Sequence, residues 1–379
     1  MMRTFGVEEE FMFVDSATLH PLPVSTQVQS LLRSRSSTAA PAPTPPTAHV
    51  DHAPFVHSEF LASQIEHSSP VFDRLDQAEA SLLGFRSRLA EAATALNSVA
   101  VGVGAPFQTD GWPEVTISAR YRRVEEEFRG LIPDHLINGL HLHVGIPSQE
   151  AGVEALNRLR VWLPVLLAMS SNSPFWNGRD TGFSSWRSIH ARRWSTGGCP
   201  PYFADVADYH RRTQRLVGVA GTFDLHTIWW GARLAEKYPT VEVRVCDAQL
   251  DTPSTLLLAA LTRALVSTAL IAAERGRCPV FLEPELLDAS LWHAAREGVQ
   301  ARLINPLSGE LAPARAVVRA LVTSVTDALE ESGDAEQVSH LLDRFWRLGT
   351  GADRQRYALS SGGTDSLGTL LRTTLNACD

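Results

Sequence analysis

Apolar and polar positions change period repeatedly along the 379-residue chain, and each change marks an element. Thr4 to Asp15 is rich in Phe and Val and ends at a polar turn, the pattern of a strand. A Pro-rich stretch over 34–47 cannot pack a core and is expected to be an exposed loop. Strand signals resume from His49 to Phe60, so this stretch interrupts a domain rather than separating two. Leu75, Ala78, Leu82, Phe85 and Leu89 recur at helical spacing within Asp73–Asn97. A strand from Ser98 to Val103, a helix from Arg120 to Leu131 and a strand from Gly139 to Ile146 follow. Glu150 to Ser171 reads as one long helical run containing Pro164. A loop rich in Asn, Gly, Ser and Trp occupies 172–203, then a helix 205–216 and a strand 240–246. Helical patterns dominate the rest, over 253–275, 286–297, 313–331 and 335–348, and the last residues, 358–379, are weakly patterned. Strands scattered at irregular intervals among helices predict an α+β fold with an antiparallel sheet, not successive βαβ units.

Composition narrows the function. With 44% hydrophobic residues the chain can bury a large core, and 34 Lys+Arg against 42 Asp+Glu give a net charge of -8. It lacks the basic excess that coats nucleic acid or an anionic membrane, so small molecules are the expected partners. Only one lysine occurs, Lys237. A lysine-based phosphate loop is therefore excluded, and any nucleotide phosphate would be held by arginine, backbone N–H groups or metal ions. Cys199, Cys246, Cys278 and Cys378 lie far apart without a C-x-x-C pair and read as reduced thiols. The five residues before Gly6 are too short for an apolar leader, so none is expected, and the apolar run Thr255–Ala273 is broken by Thr262, Arg263, Ser267 and Thr268, as in a buried helix rather than a membrane span. A soluble, cytoplasmic protein is expected, with a homodimer as the default assembly.

Four segments carry chemistry. On a strand, Glu8 and Glu10 project from one face, while Val7, Glu9, Phe11 and Phe13 share the other. Adjacent carboxylates on an apolar strand repel unless a cation lies between them; the plain alternative is a solvated edge strand. Gln64 and Glu66 again share a face, with Glu59 one short segment earlier. His141 and His143 leave one face of Gly139–Gly145; they could ligate zinc with Glu8, Glu10 or Glu66 as in a hydrolase, or be core histidines. In Thr240–Asp247, Glu242 and Arg244 share a face opposite Val241, Val243 and Val245. The valines are the core face, so the charged pair looks into solvent or a cleft. A carboxylate that holds a metal beside an arginine that reaches a γ-phosphate is what phosphoryl transfer needs.

These segments occur in a familiar order: Gly6-x-Glu8-x-Glu10, the strand from Glu59 through Glu66 to Pro70, Gly139-Leu-His-Leu-His-Val-Gly145, Ser170–Trp176 with Gly178–Gly182, and Thr240–Asp247. The chain resembles the glutamate–cysteine ligase type 2 family, the bacterial carboxylate–amine ligases, from about Arg3 to about Tyr357. The resemblance implies a fold related to glutamine synthetase, a curved antiparallel half-barrel with helices on its outer face, in one catalytic domain over 1–357. It implies ATP-dependent γ-glutamyl amide formation through an acyl phosphate, with cysteine as the default amine. Residue by residue, it makes Glu8, Glu10, Glu59, Glu66 and Glu242 magnesium ligands, with Glu66 and Glu242 also counted as catalytic. It places Arg244 at the γ-phosphate and His141, with His143, near nucleotide or metal. Arg187 and Gln64 are the candidates for substrate contact. The sequence departs from the family pattern at Ser290-Leu291 and at Gly231, which leaves open a ligase that joins glutamate or another carboxylate to a different amine. Two other readings are kept: a zinc-dependent amidohydrolase built on His141 and His143, and a nucleotide- or amino-acid-binding protein without turnover.

Overall fold

The computed structural model describes residues 3–36, 55–109 and 111–376. The strand set is β1 (Phe5–Asp15), β2 (Phe55–Ser58), β3 (Gln64–Ser68), β4 (Ser98–Val101), β5 (Gly139–Gly145), the short hairpin β6 (Phe175–Trp176) and β7 (Arg179–Asp180), β8 (Ala232–Leu234), β9 (Thr240–Asp247), and a second hairpin, β10 (Arg302–Ile304) and β11 (Leu311–Pro313). The helices are α1 (Ser25–Ser36), α2 (Leu75–Thr94), α3 (Ala119–Phe128), α4 (Gln149–Leu159), α5 (Leu163–Ser170), α6 (Trp186–Ala191), α7 (Val206–Gly218), α8 (Thr252–Glu274), α9 (Pro284–Glu297), α10 (Ala314–Ser324), α11 (Thr326–Ser332), α12 (Ala335–Leu348) and α13 (Gly351–Thr374).

Seven strands form one open antiparallel sheet in the order β2-β3-β1-β5-β9-β8, with β4 pairing the far half of β1. The α+β expectation holds, and the sheet is not closed into a barrel. Its two faces follow from side-chain alternation. Phe5 and Val7, Leu140, Leu142 and Val144, and Val241 and Val243 turn to one side and are buried under α2, α4, α5, α8 and α9. Further along that side, Phe11 and Phe13 meet Val28 and Leu32 of α1 and Phe85 and Leu89 of α2. On the opposite face β1 carries Glu8 and Glu10 first and Met12 and Val14 afterwards. The apolar pair is covered by Phe60, Phe107 and Phe175 and by Leu367 and Leu371 of α13. The second face is therefore polar only over its first half, and this is where a cleft opens.

Glu9 obeys the alternation and points into the core. Its carboxylate is paired with Arg86 of α2 and accepts from Thr255 of α8 at 2.8 Å. Arg86 also donates to the carbonyls of Leu250 and Gln249, so the buried pair is held by hydrogen bonds beyond its own. The apolar run 255–273 lies in α8, which is long and apolar enough to cross a membrane, but 72% of its apolar 18-residue window is buried inside the protein, as the buried-helix reading expects.

Three expectations are corrected in detail. The run 150–171 is divided: α4 stops at Leu159, a 3-10 turn covers Arg160–Trp162, and α5 begins with Pro164 in its first turn, where a missing N–H costs nothing. The stretch 313–331 likewise breaks at Val325 into α10 and α11. The described part of the tail, 358–376, is not weakly structured, and 377–379 lie outside the described residues: α13 runs on to Thr374 across a kink at Gly362 and Gly363, and Leu367 and Leu371 enter the core. Gly363, at φ 65°, supplies the left-handed step that hides the continuation from a periodicity count. Of the Pro-rich stretch 34–47, residues from 37 onwards lie outside the described residues.

Candidate active site

Strand pairing brings the acidic and imidazole side chains onto the polar half of the sheet. Glu8 stands opposite His141, Glu10 opposite Glu66, and His143 opposite Glu242. Between Leu140 and Leu142 the register slips: Leu140 faces Cys246 while Leu142 faces Val243, so β9 holds one extra residue. The bulge sets Arg244 and Val245 against His141. Val245 keeps to the core and Arg244 to the cleft, as alternation assigns, while the slip that sets both against one residue of β5 is what alternation alone does not predict.

The distances are short and mutual. His141 Nδ1 lies 3.4 Å from Glu8 Oε2 and 3.9 Å from Glu242 Oε1, and its Nε2 lies 3.6 Å from Glu10 Oε1. His143 Nε2 lies 3.4 Å from the same Glu8 oxygen, while its Nδ1 faces Thr240 Oγ1 at 2.9 Å. Arg244 is ion-paired with Glu242, and Arg233 of β8 donates to the other oxygen of that carboxylate at 2.8 Å. The Gly139 N–H donates to Glu10 Oε2 at 2.6 Å. Glu59 accepts from the Phe60 N–H at 3.1 Å.

These contacts divide the carboxylates into two kinds. Burial alone would raise Glu8, but hydrogen bonds and charge from His141 and His143 outweigh it and hold the carboxyl below its ordinary range. Burial is likewise overcome at Glu242 by Arg244 and Arg233, which keep it well below that range. Glu59 is pushed up to about 8 by burial and then by the negative charge of Glu10. Glu66 is raised by burial and by Glu8, Glu59 and Glu10. Burial and the Arg244 charge lower His141, whereas Glu8 raises His143 against the effect of burial. One pair of carboxylates is thus neutralised by arginine and histidine, and the other is left to repel.

Donor atoms of Glu10, Glu59 and Glu66 lie within 4.8 Å of one another, as do those of Glu8, Glu66 and His141, and of Glu8, His143 and Glu242. An all-carboxylate set suits a hard divalent cation, which would remove the repulsion that raises Glu59 and Glu66. Among the described residues no such set contains both histidines.

Glu8, Glu10, Glu59, Gln64, Glu66, His141, His143, Glu242 and Arg244 line one cleft of about 510 Å³. Gln64 is buried there with its amide spent on Ile137 O at 3.0 Å and Asn138 Oδ1 at 2.6 Å. Arg187 is the exception. It is absent from the cleft lining and donates to the carbonyls of Val245 and Arg244 at 3.3 and 3.2 Å, with Asp247 at 4.0 Å. Its cation supports the bulge rather than presenting a free fork, because a chain that departs from regular pairing needs other donors for its carbonyls. Sequence reasoning missed Arg233, Trp229 and Trp194, which the cleft includes, and gave no place to Lys237, which lines its rim. Arg233 was signalled only by the alternation Ala232-Arg233-Leu234 beside β9.

The model of the family described as glutamate-cysteine ligase family 2 matches residues 4–370. The chain belongs to that family. It is thereby placed among the carboxylate–amine ligases. A Frankia alni protein named "Putative glutamate--cysteine ligase 2-2" is 38% identical over 96% of this chain and 94% of its own length. A Saccharopolyspora erythraea protein of the same name is 35% identical over 95% of this chain and 89% of its own. Among solved structures, glutamate–cysteine ligase from Francisella tularensis in complex with AMP superposes with a TM-score of 0.70, covering 99% of this chain and 88% of that one at 10% identity. At that identity the likeness is one of fold.

Proposed function

We propose that this ligase uses ATP to join the side-chain carboxyl of glutamate to an amine, through a γ-glutamyl phosphate. The observation that carries the reading is the convergence of Glu8, Glu10, Glu59, Glu66 and Glu242 on one sheet face, with the partly buried Arg244 and Arg233 paired to Glu242 among them. Such a face repels a triphosphate unless divalent cations stand between, and Mg2+ held by Glu10, Glu59 and Glu66 would supply that neutralisation and Lewis acidity. The AMP bound to the Francisella protein and the names of the relatives agree with nucleotide and glutamate as substrates.

In the first step a glutamate carboxylate oxygen attacks the γ-phosphorus, and the bond to the β–γ bridging oxygen breaks, releasing ADP. Arg244 is fixed by Glu242, itself held by Arg233, so its charge is oriented before the reaction and stabilises the transferring phosphoryl group. In the second step the amine nitrogen attacks the acyl carbon, the bond to the phosphate oxygen breaks, and the nitrogen loses a proton. Cysteine is the default amine by the names of the relatives. Glutamate-dependent ADP release that requires Mg2+ and rises with an added amine tests the reading. ADP release independent of glutamate, or hydrolysis that needs zinc and no ATP, would reject it.

A further inference from the structure

The cleft changes character along the strands. Register sets its contents in order: the Lys237–Tyr238 turn, then Glu242 opposite His143, then Arg244 beside His141, then Gly139 and the segment that precedes it. Past Gly139 the wall is aromatic. Trp194 and Trp229 stack with centroids 5.1 Å apart and planes at 22°. His135 stands edge-on to both, at 4.8 and 5.3 Å, and to Phe60 at 5.9 Å. Phe60 in turn meets Tyr121 at 5.6 Å. All five rings line the cleft. Burial, with the charges of His190 and Arg187, pushes His135 down to about 3, so the ring is neutral.

This wall is continuous with the reacting centre. The Arg244 guanidinium lies 5.9 Å from the Trp229 ring, and Phe60 gives its N–H to Glu59. A nucleotide whose γ-phosphate meets Arg244 carries its base a ribose and two phosphates away from that cation, whereas Trp229 lies beside it, which points the adenine along the strands toward the Lys237–Tyr238 end of the cleft. Glutamate carries charges at every end, and an uncharged wall of rings would strip water from them without return. What remains to be accommodated beside the acyl carbon is the substituent of the attacking amine. A cysteine side chain, one methylene and a thiol, would cover a small part of five rings, whereas an aromatic group would stack against them.

Resting on the ligase reading above, we infer that Phe60, Tyr121, His135, Trp194 and Trp229 form the acceptor subsite, and that the acceptor is a primary amine bearing an aromatic or similarly bulky apolar group rather than cysteine. Its nitrogen attacks the acyl phosphate carbon, phosphate departs with the broken C–O bond, and one N–H proton is released.

The test is ADP release by the full chain with ATP, Mg2+ and glutamate, comparing phenethylamine, cysteine and methylamine. Phenethylamine should exceed both others at least about tenfold in kcat/KM, the scale on which a hydrophobic pocket discriminates. Equal or better use of cysteine or methylamine overturns the acceptor assignment while leaving the ligase reading intact. Absence of glutamate-dependent ADP release with every amine sinks the ligase reading, and this inference with it. Trp194→Ala should lower the phenethylamine-to-methylamine ratio about tenfold. A raised KM for ATP with that ratio unmoved would place adenine at the wall and overturn the assignment. Phe60→Leu, a smaller change, gives the same comparison should Trp194→Ala fail to fold.

Discussion

Arg187 lies against Gly139: a Cβ at position 139 would collide with Arg187 Nη2 and meet His141 Nε2 at 3.0 Å. The glycine therefore lets one guanidinium pass beneath β5 to the carbonyls of Arg244 and Val245, while its own N–H holds Glu10. Gly139→Ala should overpack this point, at a cost of about 1–3 kcal/mol, and displace both Arg187 and His141. The expected result is a lowered Tm together with a fall in kcat. A variant with wild-type kcat would show that the Arg187 support does not reach Arg244.

Arg244→Met should depress kcat by roughly 100-fold, since loss of one preorganised transition-state contact costs on the order of 3 kcal/mol. Folding should suffer less, because Arg233 still pairs with Glu242. Steady-state kinetics beside a thermal melt separate the two effects. Glu242→Gln should act on the same function by releasing Arg244, and combining the two changes should cost little more than Arg244→Met alone.

The pH dependence of the metal-free protein has a definite sign at Glu59. Its carboxyl is pushed up to about 8 in the folded chain from an ordinary 4.5. Between those values the folded state binds more protons than the unfolded state, so this group makes stability fall as pH rises. Glu59→Gln removes the effect. The Tm advantage of Glu59→Gln over wild type should therefore grow from pH 5 to pH 8 without divalent cation. Adding Mg2+ should shrink that advantage at pH 8, because the cation stabilises the charged carboxylate that the variant lacks. A Tm difference independent of pH would mean that Glu59 is ionised throughout.

Much of this site is legible in strand periodicity. Glu8 against Glu9, and Glu242 against Val243, are separated by alternation, and the structure turns them to the faces that alternation assigns. The partners across strands are not legible, because register depends on hydrogen bonding between segments more than 100 residues apart, as for Glu8 and His141. Arg187 shows the limit. A buried arginine and a substrate-binding arginine have the same letter, and only the bulge in β9, a feature of pairing rather than of composition, decides which it is. The helix α13 stayed hidden for a local reason, the adjacent Gly362 and Gly363. The aromatic wall was illegible because its rings come from five separate segments, and any one alone reads as core.

Glu9 sits between two cleft carboxylates in sequence yet performs a different task. Its ion pair with Arg86 is closed off from solvent, with both side chains almost fully buried, and it ties β1 to α2 and α8. Removing one partner leaves the other charge in the core without compensation, which costs roughly 3–5 kcal/mol. Arg86→Met should therefore lower the Tm sharply, whereas Glu10→Gln, in the cleft and near Glu59 and Glu66, should leave it unchanged or raise it by relieving repulsion. The two variants should also part in Mg2+ binding by calorimetry. Arg86→Met, in whatever fraction stays folded, should bind as wild type, and Glu10→Gln should bind more weakly. Equal losses of Tm in both variants would show that the alternation of β1 does not divide fold from function.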